Sequence, residues 1–154
     1  MKIQTKLNVL ERIAERFHAA RITWAVGGSM LLYFKGIVPV FRDIDILVKT
    51  EEAETVREIL AELGTQQTSA RSDTYRSEAF FEFNIDGVDV DVIAGFVIVR
   101  NGVPCDRSLR DDEITESVRS GNETIPLHSL AVWRRNYELM DQPEKVRLID
   151  DSLG

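Results

Sequence analysis

Two short patterns in the first third of the chain carry the residues best suited to chemistry. Val26-Gly27-Gly28-Ser29 is a glycine-serine turn, and Asp43-Ile44-Asp45-Ile46 follows it after a short spacer. Backbone N–H groups in a glycine turn that leads into a helix bind anions, and aspartates at positions i and i+2 of a strand project to the same face. A phosphate turn beside two carboxylates for a divalent cation is the arrangement that phosphoryl or nucleotidyl transfer requires.

A second acidic strand follows later in the chain. Val88-Asp89-Val90-Asp91-Val92 alternates strictly, so its aspartates share one face and its valines the other. Taken alone, this pattern is typical of a hairpin strand with one solvent-exposed face. Beside the first aspartate pair and the glycine turn, the same face offers a third carboxylate, which can bind the metal or help to deprotonate an acceptor hydroxyl.

The spacing of apolar and turn residues predicts the elements that hold these motifs. In chain order we expect a helix over 7–20, a strand over 22–26, a helix over 29–35, a strand over 44–48, a helix over 51–63 capped by Thr50, hairpins of 78–85 with 88–93, 97–100 with 103–105 and 114–118 with 124–127, and helices over 129–140 and 143–151. Residues 65–76 are expected to be a loop or a sheet edge. This order predicts an α/β (α+β) fold, in which a mixed central sheet has flanking helices mainly on one face.

Composition and charge limit the class of protein. With 154 residues, 44% hydrophobic and 29% charged, the chain is expected to form one domain over residues 1–154. Its net charge of −7 disfavours nonspecific binding to nucleic acid. The single Cys105 excludes an internal disulfide and a thiolate zinc site of its own. Because we find no signal stretch and no apolar run of membrane-spanning length, we expect a cytoplasmic protein with no membrane contact.

Together the motifs resemble the nucleotidyltransferase superfamily of the DNA polymerase beta type. Its pattern is a hydrophobic residue, Gly, Gly or Ser, a spacer, Asp-hydrophobic-Asp, and later a third acidic residue within a strand. All parts occur here in that order between residues 22 and 93. The superfamily includes small aminoglycoside and lincosamide nucleotidyltransferases and the minimal nucleotidyltransferases of toxin–antitoxin systems. The resemblance implies a nucleotidyltransferase-type fold with residues 22–93 as the motif core and residues 97–154 as a C-terminal hairpin and helices.

The resemblance also implies the roles of particular residues. Gly27-Gly28-Ser29 would be the nucleotide-binding phosphate turn, and Asp43 and Asp45 would be catalytic metal ligands. The third acid in such enzymes sits a few residues into the second strand of the hairpin, so Asp91 fits this role better than Asp89. Both point to the same face, so this choice is a preference.

These implications give a specific hypothesis about activity. A metal-dependent nucleotidyltransferase would move a nucleoside monophosphate from a nucleoside triphosphate to a hydroxyl of a small molecule, an RNA or a protein, with Mg²⁺ (or Mn²⁺) as cofactor. No all-helical substrate module follows the motif core, so the hairpins, a second copy or a partner protein would hold the acceptor. A different class stays open, namely a non-catalytic nucleotide-sensing or antitoxin-like domain of the same fold that binds a small helical partner protein.

Other notable residues are expected to be structural. His128 precedes a helix that it could cap, and without a carboxylate at ligand spacing it does not indicate a zinc site or a catalytic base. Trp133 is expected in the core. Arg42 could reach a nucleotide phosphate, although neighbouring strand residues point to opposite faces. Segments 125–130 and 144–147 also resemble small bacterial members of the superfamily, in which they are packing structure.

Overall fold

The computed structural model describes residues 2–67 and 79–154. The helices in these ranges are α1 (Ile3–Ala19), α2 (Gly28–Phe34), α3 (Ala53–Leu63), α4 (Leu130–Leu139) and α5 (Pro143–Leu153). The strands are β1 (Trp24–Val26), β2 (Ile44–Val48), β3 (Thr65–Gln67), β4 (Ala79–Ile85), β5 (Val88–Ala94), β6 (Val97–Arg100), β7 (Val103–Asp106), β8 (Glu116–Ser120) and β9 (Glu123–Leu127). None of the helices in these ranges has the length and apolar character needed to cross a bilayer.

The central sheet is mixed, as the sequence pattern predicts. Its strands lie in the order β3-β4-β5-β2-β1-β9-β8, and β6 with β7 forms a separate two-stranded sheet. β2 runs parallel to β5, and β1 runs parallel to β9. The remaining neighbours in the central sheet are antiparallel. The predicted α+β class with a mixed sheet is therefore confirmed.

Part of the core lies against one face of the two central parallel strands. Ile44 and Ile46 of β2 are register partners of Val90 and Val92 of β5, and all four side chains are fully buried. Helix α1 contributes its apolar stripe to the same core cluster. Because successive strand residues alternate between faces, burying this apolar row directs the intervening residues 45 and 91 to the opposite face.

The predicted hairpin turns adopt the expected backbone conformation. Asp86 and Gly87 have φ values of 51° and 84°, and Asn101 and Gly102 have values of 52° and 76°. Positive φ at both central residues is what a two-residue type I′ turn requires, and Asn, Asp and Gly adopt it at least cost. Local sequence chemistry was therefore sufficient to place these two turns.

Some predicted boundaries differ from those in the structure. The predicted Thr50 cap is wrong, because Thr50–Glu52 is a 3₁₀ turn without a side-chain cap and α3 begins at Ala53. In this turn the Glu52 carboxylate accepts a hydrogen bond from the Thr23 backbone N–H at 3.1 Å, which ties the start of α3 to the segment before β1. Thr65–Gln67 is an edge strand of the sheet, and the predicted loop over 68–76 lies outside the described residues, as does Glu78.

Candidate active site

The glycine turn joins the end of β1 to the start of α2. Gly28 has a positive φ of 59°, and a Cβ at this position would lie 2.1 Å from Asp45 Oδ2. The Gly27 N–H donates a hydrogen bond to the Asp45 carbonyl at 3.0 Å, and the Ser29 backbone N–H donates to the Asp45 carboxylate. The turn therefore needs glycine to approach β2 closely. One of its N–H groups, that of Ser29, already donates a hydrogen bond to the Asp45 carboxylate.

The structure brings the three predicted aspartates together. Asp45 and Asp91 are register partners in the parallel pair of β2 and β5, so their side chains project from the same face of neighbouring strands. Asp43 directly precedes β2, and its negative charge acts on both of the other carboxyls. All three residues are half-buried. The acidic cluster therefore lies on the face opposite the buried row of Ile44, Ile46, Val90 and Val92.

Asp89 occupies a different environment from Asp91. The first residue pair of the β2–β5 ladder is Ile44 with Val90, and Asp89 lies one position before that pair. Asp89 is exposed and accepts a hydrogen bond from the Asn84 side chain at 3.1 Å. Of the two alternatives, Asp91 is the one that pairs with Asp45, so the geometry favours it as the third carboxylate.

An open pocket of about 580 Å³ lies beside the cluster, and basic side chains share its walls with acidic ones. Its polar lining residues are Lys6, Ser29, Arg42, Asp43, Asp45 and Lys145. Lys145 lies on α5, far along the chain from the motifs, and its positive charge acts on the Asp45 carboxyl. The expectation that segment 144–147 serves only for packing is therefore incomplete. Nothing in the local sequence marks Lys145, because only the docking of α5 brings it to the pocket.

Glu82 is a second residue that the sequence patterns did not single out. It is the antiparallel partner of Asp91 on β4 and is half-buried. Three neighbouring strands thus place Glu82, Asp91 and Asp45 in one row across the same face. The alternation of β4 is the pattern that could have identified Glu82, once the register with β5 was known.

Burial and mutual repulsion make these carboxyls hard to ionise. Burial raises the pKa of Asp45 well above its ordinary value, and the charges of Asp91 and Asp43 raise it further. Burial, followed by the charges of Asp43 and Glu82, raises the pKa of Asp91 to about 7. A bound cation would relieve this repulsion, since an opposite charge favours the ionised form.

The donor set fits an oxygen-preferring divalent cation. Carboxylates are the protein ligands that Mg²⁺ and Mn²⁺ favour, and here two strands and the residue before one of them supply three. In the described ranges, no group of three or more His, Cys, Asp or Glu side chains is already close enough together to hold a metal ion. Binding of a cation would therefore require the three carboxylates to move closer together.

The stability of the metal-free protein is expected to fall as pH rises from about 4 to about 7. The Asp91 carboxyl titrates near pH 4 when the chain is unfolded, whereas its pKa in the folded protein is about 7. In this window the folded state holds a proton that the unfolded state has lost. Raising the pH therefore lowers the free energy of unfolding, by on the order of 1–3 kcal/mol in total. Thermal unfolding in EDTA at pH 5 and pH 8 measures the difference.

Substitution of the two strand aspartates tests the cause of this pH dependence. Asp91→Asn removes the titrating group and should reduce the pH dependence, while Asp45, whose pKa is also raised, continues to contribute in the same direction. Asp89→Asn, on the same strand but exposed, removes only one of the smaller causes of the raised Asp91 pKa and should keep most of the dependence of the parent protein. An unchanged pH dependence in Asp91→Asn contradicts the assignment.

His128 does not cap α4, although the sequence predicts that it could. Ser129 caps α4, because its Oγ accepts a hydrogen bond from the Val132 N–H at 3.3 Å. His128 instead turns inward and is 2% exposed. Trp133 is buried, as predicted. The prediction that His128 caps this helix is therefore wrong, since the neighbouring serine supplies the cap.

The fold and the site define a class of protein. Residues 9–131 match the family model described as aminoglycoside-2''-adenylyltransferase. This match covers most of the chain, which therefore belongs to that family. The resemblance to nucleotidyltransferases of the polymerase beta type is thereby confirmed.

Solved structures give the particular proteins to which the chain is similar. TM1012 from Thermotoga maritima, a candidate nucleotidyltransferase, is 26% identical with a TM-score of 0.76, over 99% of this chain and 95% of that one. ANT(2'')-Ia in complex with adenylyl-2''-tobramycin is 15% identical with a TM-score of 0.66, over 97% and 90%. The lincosamide antibiotic adenylyltransferase LnuA, with lincomycin bound, is 12% identical with a TM-score of 0.57, over 97% of both chains. At these lower identities the last two show a shared fold. No curated protein sequence matches the chain.

Proposed function

We propose that this protein transfers a nucleoside monophosphate from a nucleoside triphosphate to a hydroxyl group of an acceptor. The observation that carries the proposal is the placement of Asp45 and Asp91 as register partners beside the Gly27-Gly28-Ser29 turn. Membership of an adenylyltransferase family favours ATP as the nucleotide. ANT(2'')-Ia and LnuA, which are complexed with an adenylylated and an unmodified antibiotic respectively, favour a small hydroxylated molecule as the acceptor.

Each part of the reaction has a group to support it. The acceptor oxygen forms a bond to the α-phosphorus, the bond from that phosphorus to the β-phosphate oxygen breaks, and pyrophosphate leaves. The hydroxyl proton would pass to a carboxylate of the acidic row, Asp91 or Glu82, which lie side by side on neighbouring strands. Asp43, Asp45 and Asp91 would hold Mg²⁺ (or Mn²⁺), which supplies charge neutralisation for the triphosphate and acidifies the acceptor hydroxyl.

The basic wall of the pocket would hold the triphosphate. Lys145 acts on the Asp45 carboxyl through its positive charge, whereas Arg42, whose side chain is 91% exposed, lies 3.6 Å from the Asp43 carboxylate. Lys6 lines the same pocket. The Lys6 ammonium donates to the Phe41 carbonyl at 2.5 Å, and so part of its donor capacity is used. Lys145 is therefore the residue to which we assign the main phosphate contact, together with the hydroxyl of Ser29.

Calorimetric titration with non-hydrolysable triphosphates and Mg²⁺ tests this proposal. The parent protein should bind at least one of the ATP, GTP, CTP and UTP analogues. Lys145→Met should weaken that binding by about tenfold or more, because a charge-assisted phosphate contact contributes roughly 1.5–3 kcal/mol. Loss of the contact should leave the fold unchanged, which circular dichroism will show.

Replacement of a second basic residue of α5 by methionine provides the matched control. Arg147 lies two residues away on the same helix and is exposed, so Arg147→Met removes one positive charge without altering the pocket. Its affinity for the nucleotide should stay within about twofold of the parent, as expected for a solvated charge screened by salt. If well-folded parent protein binds none of the four analogues, the proposed function is wrong.

A further inference from the structure

The glycine turn is held between two side chains from different parts of the fold. A Cβ on Gly28 would lie 2.1 Å from Asp45 Oδ2, and a Cβ on Gly27 would lie 2.4 Å from Trp133 Cζ2. Asp45 therefore packs closely against Gly28, and the Trp133 indole packs closely against Gly27. Trp133 belongs to α4, and its position is set by contacts outside the motif core.

A buried chain of hydrogen bonds orients the Trp133 indole. The Trp133 Nε1–H donates to His128 Nδ1 at 2.9 Å, and His128 Nε2 lies 3.0 Å from Glu113 Oε1. Because an indole N–H can only donate, Nδ1 must be the acceptor, and a neutral imidazole then carries its proton on Nε2 and donates it to Glu113. The His128 side chain is 0% exposed. The ring orientation of both aromatic side chains is therefore set.

His128 also holds the strand that leads into the turn. Its backbone N–H donates to the Val26 carbonyl at 3.0 Å, at the point where β9 and β1 run parallel. One residue thus binds the backbone immediately before Gly27 and, through its side chain, directs the indole onto Gly27. The turn is therefore held both by the hydrogen bond to Val26, the residue before it, and by the Trp133 indole packed against Gly27.

Packing alone does not account for this arrangement. An aliphatic side chain at position 128 would fill the space without the cost of burying an imidazole. Burial lowers the pKa of His128, against the opposing influence of the Glu113 hydrogen bond and charge, while Arg107 adds to the lowering. A neutral imidazole can act as acceptor and donor at once, and an aliphatic residue can do neither. What the buried polar groups add is a defined direction for the indole.

We propose that Trp133, His128 and Glu113 are positioning residues that set the Gly27-Gly28-Ser29 backbone relative to Asp45, and through it the position of the bound triphosphate. This inference rests on the proposed function of the site. Residues 113, 128 and 133 lie outside the motif core over residues 22–93. They would not touch the nucleotide but would act through the turn.

The two tryptophans provide a matched pair of variants. Trp24 is buried like Trp133, but its Nε1 has no hydrogen-bond partner in the described part of the chain. Trp133→Phe should weaken binding of the Mg²⁺ complex of a non-hydrolysable ATP analogue by about tenfold, the equivalent of one lost hydrogen bond. Trp24→Phe removes an indole N–H that makes no bond, so its affinity should stay within about twofold of the parent.

Variants of His128 separate positioning from bulk. His128→Leu keeps a buried side chain but loses both hydrogen bonds, and it should match Trp133→Phe. His128→Asn can still accept from Trp133 and donate onward, so it should recover most of the affinity. Equal loss in His128→Leu and His128→Asn at matched thermal stability would contradict a positioning role.

Two readouts that do not depend on activity complete the test. Amide hydrogen exchange of residues 27–29 should be faster in Trp133→Phe and His128→Leu than in Trp24→Phe, with no matching change in the melting temperature. In the Trp24→Phe background, where Trp133 is the only tryptophan, its emission should shift when the ATP analogue binds. If amide exchange of residues 27–29 in Trp133→Phe and His128→Leu equals that of the parent protein, the inference is overturned. If the parent protein binds no nucleotide, the proposed function fails, and the exchange of residues 27–29 alone then decides the inference.

Discussion

Replacing Asp45 with Asn is expected to lower nucleotidyl transfer by about three orders of magnitude. A divalent cation contributes several kcal/mol to such a reaction, and each 1.4 kcal/mol corresponds to about a factor of ten in rate. Asp45 is the carboxylate that contacts the glycine turn and pairs in register with Asp91, so its charge lies at the centre of the proposed metal site. The rate of pyrophosphate release with ATP, Mg²⁺ and a hydroxylated acceptor measures the loss.

The same substitution should make the metal-free protein more stable at neutral pH. Burial and two neighbouring carboxylates oppose the ionised form of Asp45, and asparagine removes that cost while keeping the shape of the side chain. A raised melting temperature together with lost activity distinguishes a functional charge from a structural one. Asp89→Asn, which changes an exposed carboxylate, should retain activity within about a few-fold, as is usual for surface positions. Parent-like activity in Asp45→Asn would exclude Asp45 as a ligand.

Gly28→Ala is expected to have the second largest effect, lowering nucleotide affinity by about 100-fold. A Cβ at this position would lie 2.1 Å from Asp45 Oδ2 on a backbone with φ of +59°. Relief of that overlap must move either the turn or the aspartate, and the loss of one or two charge-assisted contacts to the triphosphate, roughly 3 kcal/mol in total, lowers the affinity by about 100-fold. Calorimetric titration with the ATP analogue and Mg²⁺ measures the change.

Gly36→Ala separates the overlap from the backbone strain. Gly36 follows α2 and also has a positive φ, of +75°, but a Cβ there would meet nothing within 4 Å. This variant should lose about 1 kcal/mol of stability, the usual cost of an L-residue in the left-handed region. Its affinity for the nucleotide should match that of the parent. If both alanine variants bind equally well, the turn does not need its close approach to Asp45.

Local chemistry accounts for much of the fold that was predicted. Asp86-Gly87 and Asn101-Gly102 close their hairpins because few other residue pairs accept positive φ at two successive positions. The alternation of valine and aspartate in β5 predicts which residues face the core, since period-two burial is a property of any strand with one covered face. Boundaries that depend on distant partners, such as the start of α3 at Ala53, were placed less well.

The candidate site divides along the same line. Gly27, Gly28, Ser29, Asp43, Asp45 and Asp91 are predicted from two short motifs and one alternating strand, and the resemblance to the superfamily implies their roles and favours Asp91 over Asp89. Lys145, Glu82 and the chain from Glu113 to Trp133 depend on the docking of α5, the register of β4 on β5 and the packing of α4 on the turn. Those contacts join residues that are far apart along the chain, and no local pattern encodes such a distance. The motif thus predicts the acidic half of the pocket, whereas the packing of the helices and strands around it supplies the basic wall and the support behind the glycine turn.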